Sequence, residues 1–224
     1  PGVVSGHYAP EEAEIDLVRL CRFADARLFV ETADSLDPGA RTVSCGSRPD
    51  VHYDLLSIDI GITPDLSVPG AAEHVIPVKP ISTFQSRFDA FLAKARSEDG
   101  VVDLGVVGAG AGGIELVLAL RYRLAQEGID ARCHVFADDG VLPSHSDAVR
   151  VRFEAILRDA GVIVHRGFRV ARVEADGVLD GEGTKVPLTA VFWVTNAAPQ
   201  SWLQETGLST DGAGFLRVRE TLQT

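Results

Sequence analysis

Apolar positions along the chain change period several times, and the changes predict its elements. Pro10 with Glu11, Glu12 and Glu14 reads as a helix start, and Leu17, Leu20, Cys21 and Ala24 continue it on one face. Residues 27–36 and 41–45 read as strands around the turn Asp37-Pro38-Gly39, and residues 53–60 as a further strand closed by Gly61 and Pro64. Residues 65–80, punctuated by Pro69, Gly70, Pro77 and Pro80, read as an extended connection. Phe84, Phe88, Phe91, Leu92 and Ala95 then form a helical stripe. Strand 101–107, helix 112–126 and strand 131–137 follow. Val149, Phe153, Ile156, Leu157 and Ala160 mark another helix, stopped by Gly161 before a short strand at 162–165. Residues 167–188 alternate in short pieces broken by Asp176-Gly177 and by residues 180–183, as an antiparallel meander does. A buried strand at 191–195 and a short strand at 214–218 close the reading. Strand–helix alternation over 101–165 predicts that 101–107, 131–137, 162–165 and 191–195 share one mainly parallel sheet.

The most informative stretch lies inside that alternation. An apolar run (Val101, Val102, Leu104, Val106, Val107) ends in Gly108-Ala109-Gly110-Ala111-Gly112-Gly113, and an apolar helix starts at once. In this strand–turn–helix order Gly108 permits a sharp turn, Gly110 lets a pyrophosphate approach bare backbone, and Gly113 lets helix and strand pack closely. The helix N-terminus offers free N–H groups and a positive dipole end to the phosphates. An acid some 20 residues further on takes the adenine ribose in such units. Asp138, with Asp139 beside it, is the candidate, its spacing slightly long because Gly128-Ile129-Asp130 widens the preceding turn. No arginine directly follows that strand to hold a 2′-phosphate, which favours NAD over NADP.

Composition narrows the class. The formal net charge of −11, from Lys+Arg 21 against Asp+Glu 32, argues against nucleic acid and anionic membrane as partners. No apolar run has the length of a membrane span, and residues 1–20 carry acids where a secretory signal would be basic and apolar, so a cytoplasmic location is expected. Cys21, Cys45 and Cys133 form no CxxC pair, so neither a redox dithiol nor a zinc knuckle is encoded locally. His7, His52, His74, His134, His145 and His165 show no metal spacing, and no metal is expected. No Gly-x-Ser-x-Gly elbow or P-loop lysine supports a hydrolase or NTPase. The chain opens at Pro1 and contains no methionine, and we expect it to be an internal piece of a longer polypeptide.

Gly6-His7-Tyr8, residues 53–61, Pro77-Val78-Lys79-Pro80, residues 108–115, residues 191–197 and residues 214–223, in this order, resemble the middle of a pyridine nucleotide-disulfide oxidoreductase-type flavoprotein. The likeness is greatest to the type II NADH dehydrogenase and sulfide:quinone oxidoreductase branch, and within it to the subgroup associated with selenide, water dikinase. It implies an α/β fold: a Rossmann-like NAD(P)-binding domain, parallel sheet plus β-meander, inserted in a partial FAD-binding domain. Residues 1–98 would be the first part of the FAD domain, 99–195 the NAD(P)H domain, and 196–224 the truncated return to the FAD domain. The resemblance places Gly61 and Asn196 at strand ends beside FAD, although neither strand ends in the usual Ala-Thr-Gly. It places Glu115 near the nicotinamide–flavin junction and Lys79 near the isoalloxazine. A helix-start carboxylate and an ordinary exposed lysine are the alternative readings of those two.

The implied activity is FAD-dependent NAD(P)H oxidation, with hydride passing from NADH to flavin and on to a small-molecule acceptor that the sequence does not identify. Disulfide reduction is not implied. Residues 1–98 hold no second GxGxxG for the FAD diphosphate, and the family's late Gly-Asp segment does not occur before Thr224. The chain alone is therefore expected to bind NAD(H) but not to retain FAD, and to be inactive, with the bare apolar faces on its FAD side either poorly ordered or covered by a second copy in a homo-oligomer. Selenide, water dikinase is a further candidate partner. Two readings from other classes stay open: a non-catalytic nucleotide-binding module linked to selenium metabolism, and a methyltransferase, which the meander at 167–188 disfavours.

Overall fold

Parallel pairing organises the chain around the glycine motif. The structure, a computed structural model, describes residues 1–195 and 197–224. Its helices in chain order are α1 (Gly2–Ser5), α2 (Leu17–Phe23), α3 (Ala71–His74), α4 (Ile81–Ser97), α5 (Ala111–Gln126) and α6 (Asp147–Asp159). The strands are β1 (Ala33–Asp37), β2 (Thr42–Cys45), β3 (Val51–His52), β4 (Thr63–Pro64), β5 (Ile76–Pro77), β6 (Val102–Val107), β7 (Ala131–Ala137), β8 (Ile163–Arg166), β9 (Val170–Glu174), β10 (Gly177–Asp180), β11 (Lys185–Pro187), β12 (Ala190–Trp193) and β13 (Ala197–Ala198). The chain parts into two units, Pro1–Ala13 with Pro64–Asn196, and Glu14–Thr63 with Ala197–Thr224.

The first unit, which carries the glycine motif, is built on a five-stranded sheet of order β5-β12-β6-β7-β8, parallel throughout. Parallel strands linked by helices are covered on both faces and therefore read as apolar runs. One face bears α4 and α5: Phe84, Phe88, Phe91, Leu92 and Ala95 from α4 pack with Val102, Leu104, Val106, Val117, Leu120 and Val135 in a single core. Phe91 meets Phe192 of β12 edge-on, centroids 5.1 Å apart, a geometry that adds to the area buried. The other core joins Val107, Phe136, Val191 and Trp193 to Val170, Val173 and Val178 of the antiparallel meander β9-β10-β11. Fold class, parallel sheet and meander agree with the sequence reading. One correction applies within this unit: residues 65–80 are not merely extended, because Ile76 and Pro77 pair in parallel with Phe192 and Trp193 and give the sheet its fifth strand.

The second unit has shorter elements. β1, β2 and β3 form an antiparallel sheet, and Asp37 Oδ1 accepts the amides of Gly39 and Ala40 to close the first turn. β4 and β13 make a two-stranded ribbon. The helix predicted from Pro10 to Ala24 is divided into a 3-10 turn (Pro10–Glu12) and α2. Asp16 causes the division: its carboxylate accepts the amides of Val18 and Arg19 at 3.0 and 3.1 Å and begins a new helix. The strand predicted at 27–36 shrinks to β1, and the one at 214–218 to a single bridge between Thr210 and Leu216. Residues 53–60, predicted as a strand, join no sheet among the described residues. An alternating pattern supplies faces but not a hydrogen-bonding neighbour, and a strand needs both.

Candidate functional site

The C-terminal ends of β5, β12, β6 and β7 all point the same way, and the candidate residues of the first unit collect there. In open parallel sheets this is the edge at which ligands bind. Gly108 leaves β6 with φ +111°, and a Cβ on it would lie 2.7 Å from the Val194 carbonyl oxygen. A side chain is excluded there by conformation and by space. Its amide donates to the Phe136 carbonyl at 3.2 Å, and the Val194 amide donates to the Val107 carbonyl at 2.9 Å, so the turn is tied on both sides. Gly113 is buried, and a Cβ there would run into the Gly108 carbonyl oxygen. The glycine lets α5 start directly against the loop.

Gly110 differs from both. It is the N-cap of α5 with extended backbone, φ −70° and ψ 179°, and no atom lies within 4 Å of the place its Cβ would occupy. No side chain caps α5, and its first internal bond joins the Ile114 amide to the Gly110 carbonyl at 3.0 Å. The exposed residues Ala111 and Gly112 thus bring first-turn amides to an open surface at the positive end of a 16-residue helix. Ala109 is buried, and its carbonyl accepts the Leu142 amide at 2.9 Å, tying the loop after β7 to the glycine loop. That arrangement can hold a diphosphate against bare backbone.

Asp138 follows β7, whose Phe136 is paired with Val107, so it stands one strand over from the glycine loop. Half of its side chain is exposed, and its Oδ2 lies 3.8 Å from Arg169 Nε. Sequence spacing could not find this arginine, because α6 and β8 intervene and bring it back beside the end of β7. Arg166, level with Ala137 in the pairing of β7 with β8, is held at 3.2 Å by Glu154, and Arg150 at 3.3 Å by Asp147. Glu115 is exposed between buried Ile114 and Leu116, one helical turn past Ala111. Lys79 is exposed just beyond β5, where the Val78 amide donates to the Trp193 carbonyl at 3.2 Å. Both therefore belong to the unit that carries the glycine loop. Gly61 is an exposed left-handed glycine (φ +69°) of the second unit, and Asn196 lies outside the described residues. All three cysteines are free, and burial pushes the Cys133 thiol up to about 11, the behaviour of an inert core thiol. Among the described residues no helix is long and apolar enough to cross a membrane.

Solved structures share this architecture. The chain superposes on reduced CoADR-RHD of Bacillus anthracis with a TM-score of 0.81 at 17% identity, over 98% of this chain and 40% of that one. On the sulfide:quinone oxidoreductase of Aquifex aeolicus the TM-score is 0.76 at 20% identity, over 92% and 51%. On a NAD-dependent persulfide reductase from A. fulgidus it is 0.70 at 24% identity, over 88% and 37%. The chain thus spans about half of those proteins or less, and what it shares with them is the fold. A family model, pyridine nucleotide-disulphide oxidoreductase, matches residues 11–224, and the chain belongs to that family.

Proposed function

We propose that the chain is the nucleotide-handling part of an FAD-dependent NAD(P)H oxidoreductase. The observation that carries this reading is the open backbone cradle at Gly110, at the ligand-binding edge of a parallel sheet and flanked by glycines that pack against backbone. Gly108, Ala109, Gly110, Ala111, Gly112 and Gly113 bind the diphosphate, and Asp138 takes the adenine ribose, with NADH as donor. The bound cofactors supply hydride chemistry, from nicotinamide to flavin, and the protein supplies position and electrostatics. Glu115 and Lys79 would lie toward the reacting rings, Gly61 and Asn196 toward FAD. In this reading residues 99–195 form the NAD(P)H domain, and 1–98 with 196–224 form the FAD side. No step is assigned to Gly61.

The test is titration of the chain with NADH and with ADP-ribose by calorimetry, followed by incubation with FAD and a visible spectrum before and after NADH. Saturable binding of both nucleotides, lost in Gly110→Val, supports the reading. Flavin bleaching by NADH would assign the electron transfer to this chain, whereas nucleotide binding without retained flavin is the outcome expected of a chain with a single GxGxxG loop. Equal NADH affinity in wild type and Gly110→Val overturns the site.

A further inference from the structure

We propose that the groove between α4 and the start of β5 is a second binding site, for an organic monocarboxylate with an apolar body. It lies in the first unit at the edge of the sheet where β5, β12 and β6 begin, opposite the edge that carries the glycine loop. The inference therefore goes beyond the nucleotide site and does not rest on it. The cavity measures about 500 Å³, within the range of small-molecule sites. Its base is apolar: buried Phe91, Ala95, Val102 and Val191, with half-buried Val75 and Ile76 beside them. The small residues Ala72 and Ala90 on its walls leave open the space that larger side chains would fill.

The polar groups of the rim specify the charge of the occupant. Arg87 of α4 is exposed and forms no ion pair among the described residues; Asp89, the acid nearest to it along the helix, accepts from Gln85 at 3.0 Å. Lys94 is held by Glu98 at 3.4 Å, with 63% of the lysine side chain exposed, and exposed pairs of this kind contribute little. Thr189 Oγ1 accepts the Asp103 amide at 3.3 Å, which leaves its O–H free to donate. Three donors thus border one apolar base, and the planar fork of Arg87 suits a carboxylate. Acids limit the charge that fits. Glu73 of α3, on the other wall, and Glu98 would repel a second carboxylate. Charge complementarity therefore selects a monoanion, its carboxylate at Arg87 and its apolar body over Phe91.

The experiment uses the chain itself and probes of one shape but different charge: naphthaleneacetate, the neutral naphthaleneacetamide and the cation naphthylethylamine. Calorimetry reads affinity, and amide chemical shifts in the NMR spectrum read location. The carboxylate is expected to bind saturably, to shift Ala90, Thr189 and Ala190, and to bind about tenfold tighter than the amide or the amine. Arg87→Ala should remove that preference, with Arg87→Lys falling between. Ala90→Trp, at an exposed helix position, should fill the groove and abolish carboxylate binding while leaving thermal unfolding and ADP-ribose affinity unchanged. Absence of saturable carboxylate binding, equal affinity for carboxylate and amide in wild type, or shifts confined to residues outside the groove overturns the site. So does carboxylate binding that survives Ala90→Trp. None of these outcomes bears on the glycine loop, whose own test is the nucleotide titration.

Discussion

The two units spend their apolar residues differently. In the glycine-loop unit both apolar cores hold residues wholly shielded from solvent, Val102, Leu104, Ile114, Leu120 and Phe192 in one and Ala71 and Val178 in the other. In the second unit α2 buries none of its residues, and Phe23 and Leu55 are about nine-tenths exposed. Composition alone does not separate them, since both contain apolar segments of ordinary strand and helix length. What separates them is whether a pairing strand also gains a covering helix. In the first unit β6 and β7 are each followed by a helix and then by the strand beside it, so much of their burial is completed locally, while β12 returns after the meander to lie between β5 and β6. Local completeness should then appear as a difference in opening free energy. Hydrogen exchange is expected to protect amides of β6 and β7 roughly a thousandfold or more over those of α2. Comparable protection in both units would break the contrast.

A pair of substitutions sharpens it at single side chains. Phe88, 1% exposed, stacks near Phe84 and Phe91 and fills the space between α4 and the sheet. Phe88→Ala should cost about 3–5 kcal/mol through lost transfer energy and the cavity left behind. Phe23→Ala, at a side chain 90% exposed, should change stability by no more than about 0.5 kcal/mol. Urea unfolding of the two variants checks both. Similar losses would mean that Phe23 is covered in solution.

The same contrast explains what the sequence revealed. β6, β7 and β8, their crossover helices and the meander were legible because period, glycine placement and turn residues all referred to neighbours within a few tens of residues. β5 was missed because two residues carry no period, and Pro77 disguises an edge strand as a connection. Residues 53–60 were misread because alternation was present without a pairing partner. At the site, the roles of Gly108 and Gly113 were readable from spacing, and their steric reason is now visible. Arg169 was not readable at all, because its place beside Asp138 depends on a full crossover through α6. Even Asp103, odd within a strand, makes sense only across strands: it faces Arg132 at 2.6 Å and His134 at 3.4 Å.

Within the motif itself, one glycine serves the fold and another the ligand. Gly113→Ala should destabilise the first unit by about 1–3 kcal/mol or more, since backbone rather than a flexible side chain must move. Gly110→Val should leave thermal unfolding nearly unchanged while weakening ADP-ribose about a hundredfold. Reversed outcomes, with Gly110→Val unfolded and Gly113→Ala unaffected, would show that the open space at Gly110 is not the ligand's.

The smallest expected effect concerns the polar groups that the well-packed unit encloses. His134 is 8% exposed on β7; its Nδ1 lies 2.9 Å from His165 Nε2, and its Nε2 faces Asp103. With both rings neutral, one arrangement satisfies every partner: His165 donates to His134, and His134 donates to Asp103. His165 stacks on Phe136 at 4.6 Å. Burial lowers both histidines below their ordinary value of 6.5; Asp103 opposes this at His134, while Arg132 adds to it, and His134 adds to it at His165. The sign follows directly. Near and below pH 6.5 the unfolded chain holds protons that the folded chain refuses, so stability is present above that range and declines as pH falls. One fully differential proton gives about 1.4 kcal/mol per pH unit, and partial exposure of His165 reduces it. His165→Phe keeps an aromatic ring against Phe136 and removes one of the two titrations. Its urea midpoint should therefore fall less between pH 8 and pH 5 than that of wild type. Parallel pH profiles for the two proteins would show that the pair titrates alike in folded and unfolded chains, and that this enclosed polar chain contributes nothing to the first unit's acid sensitivity.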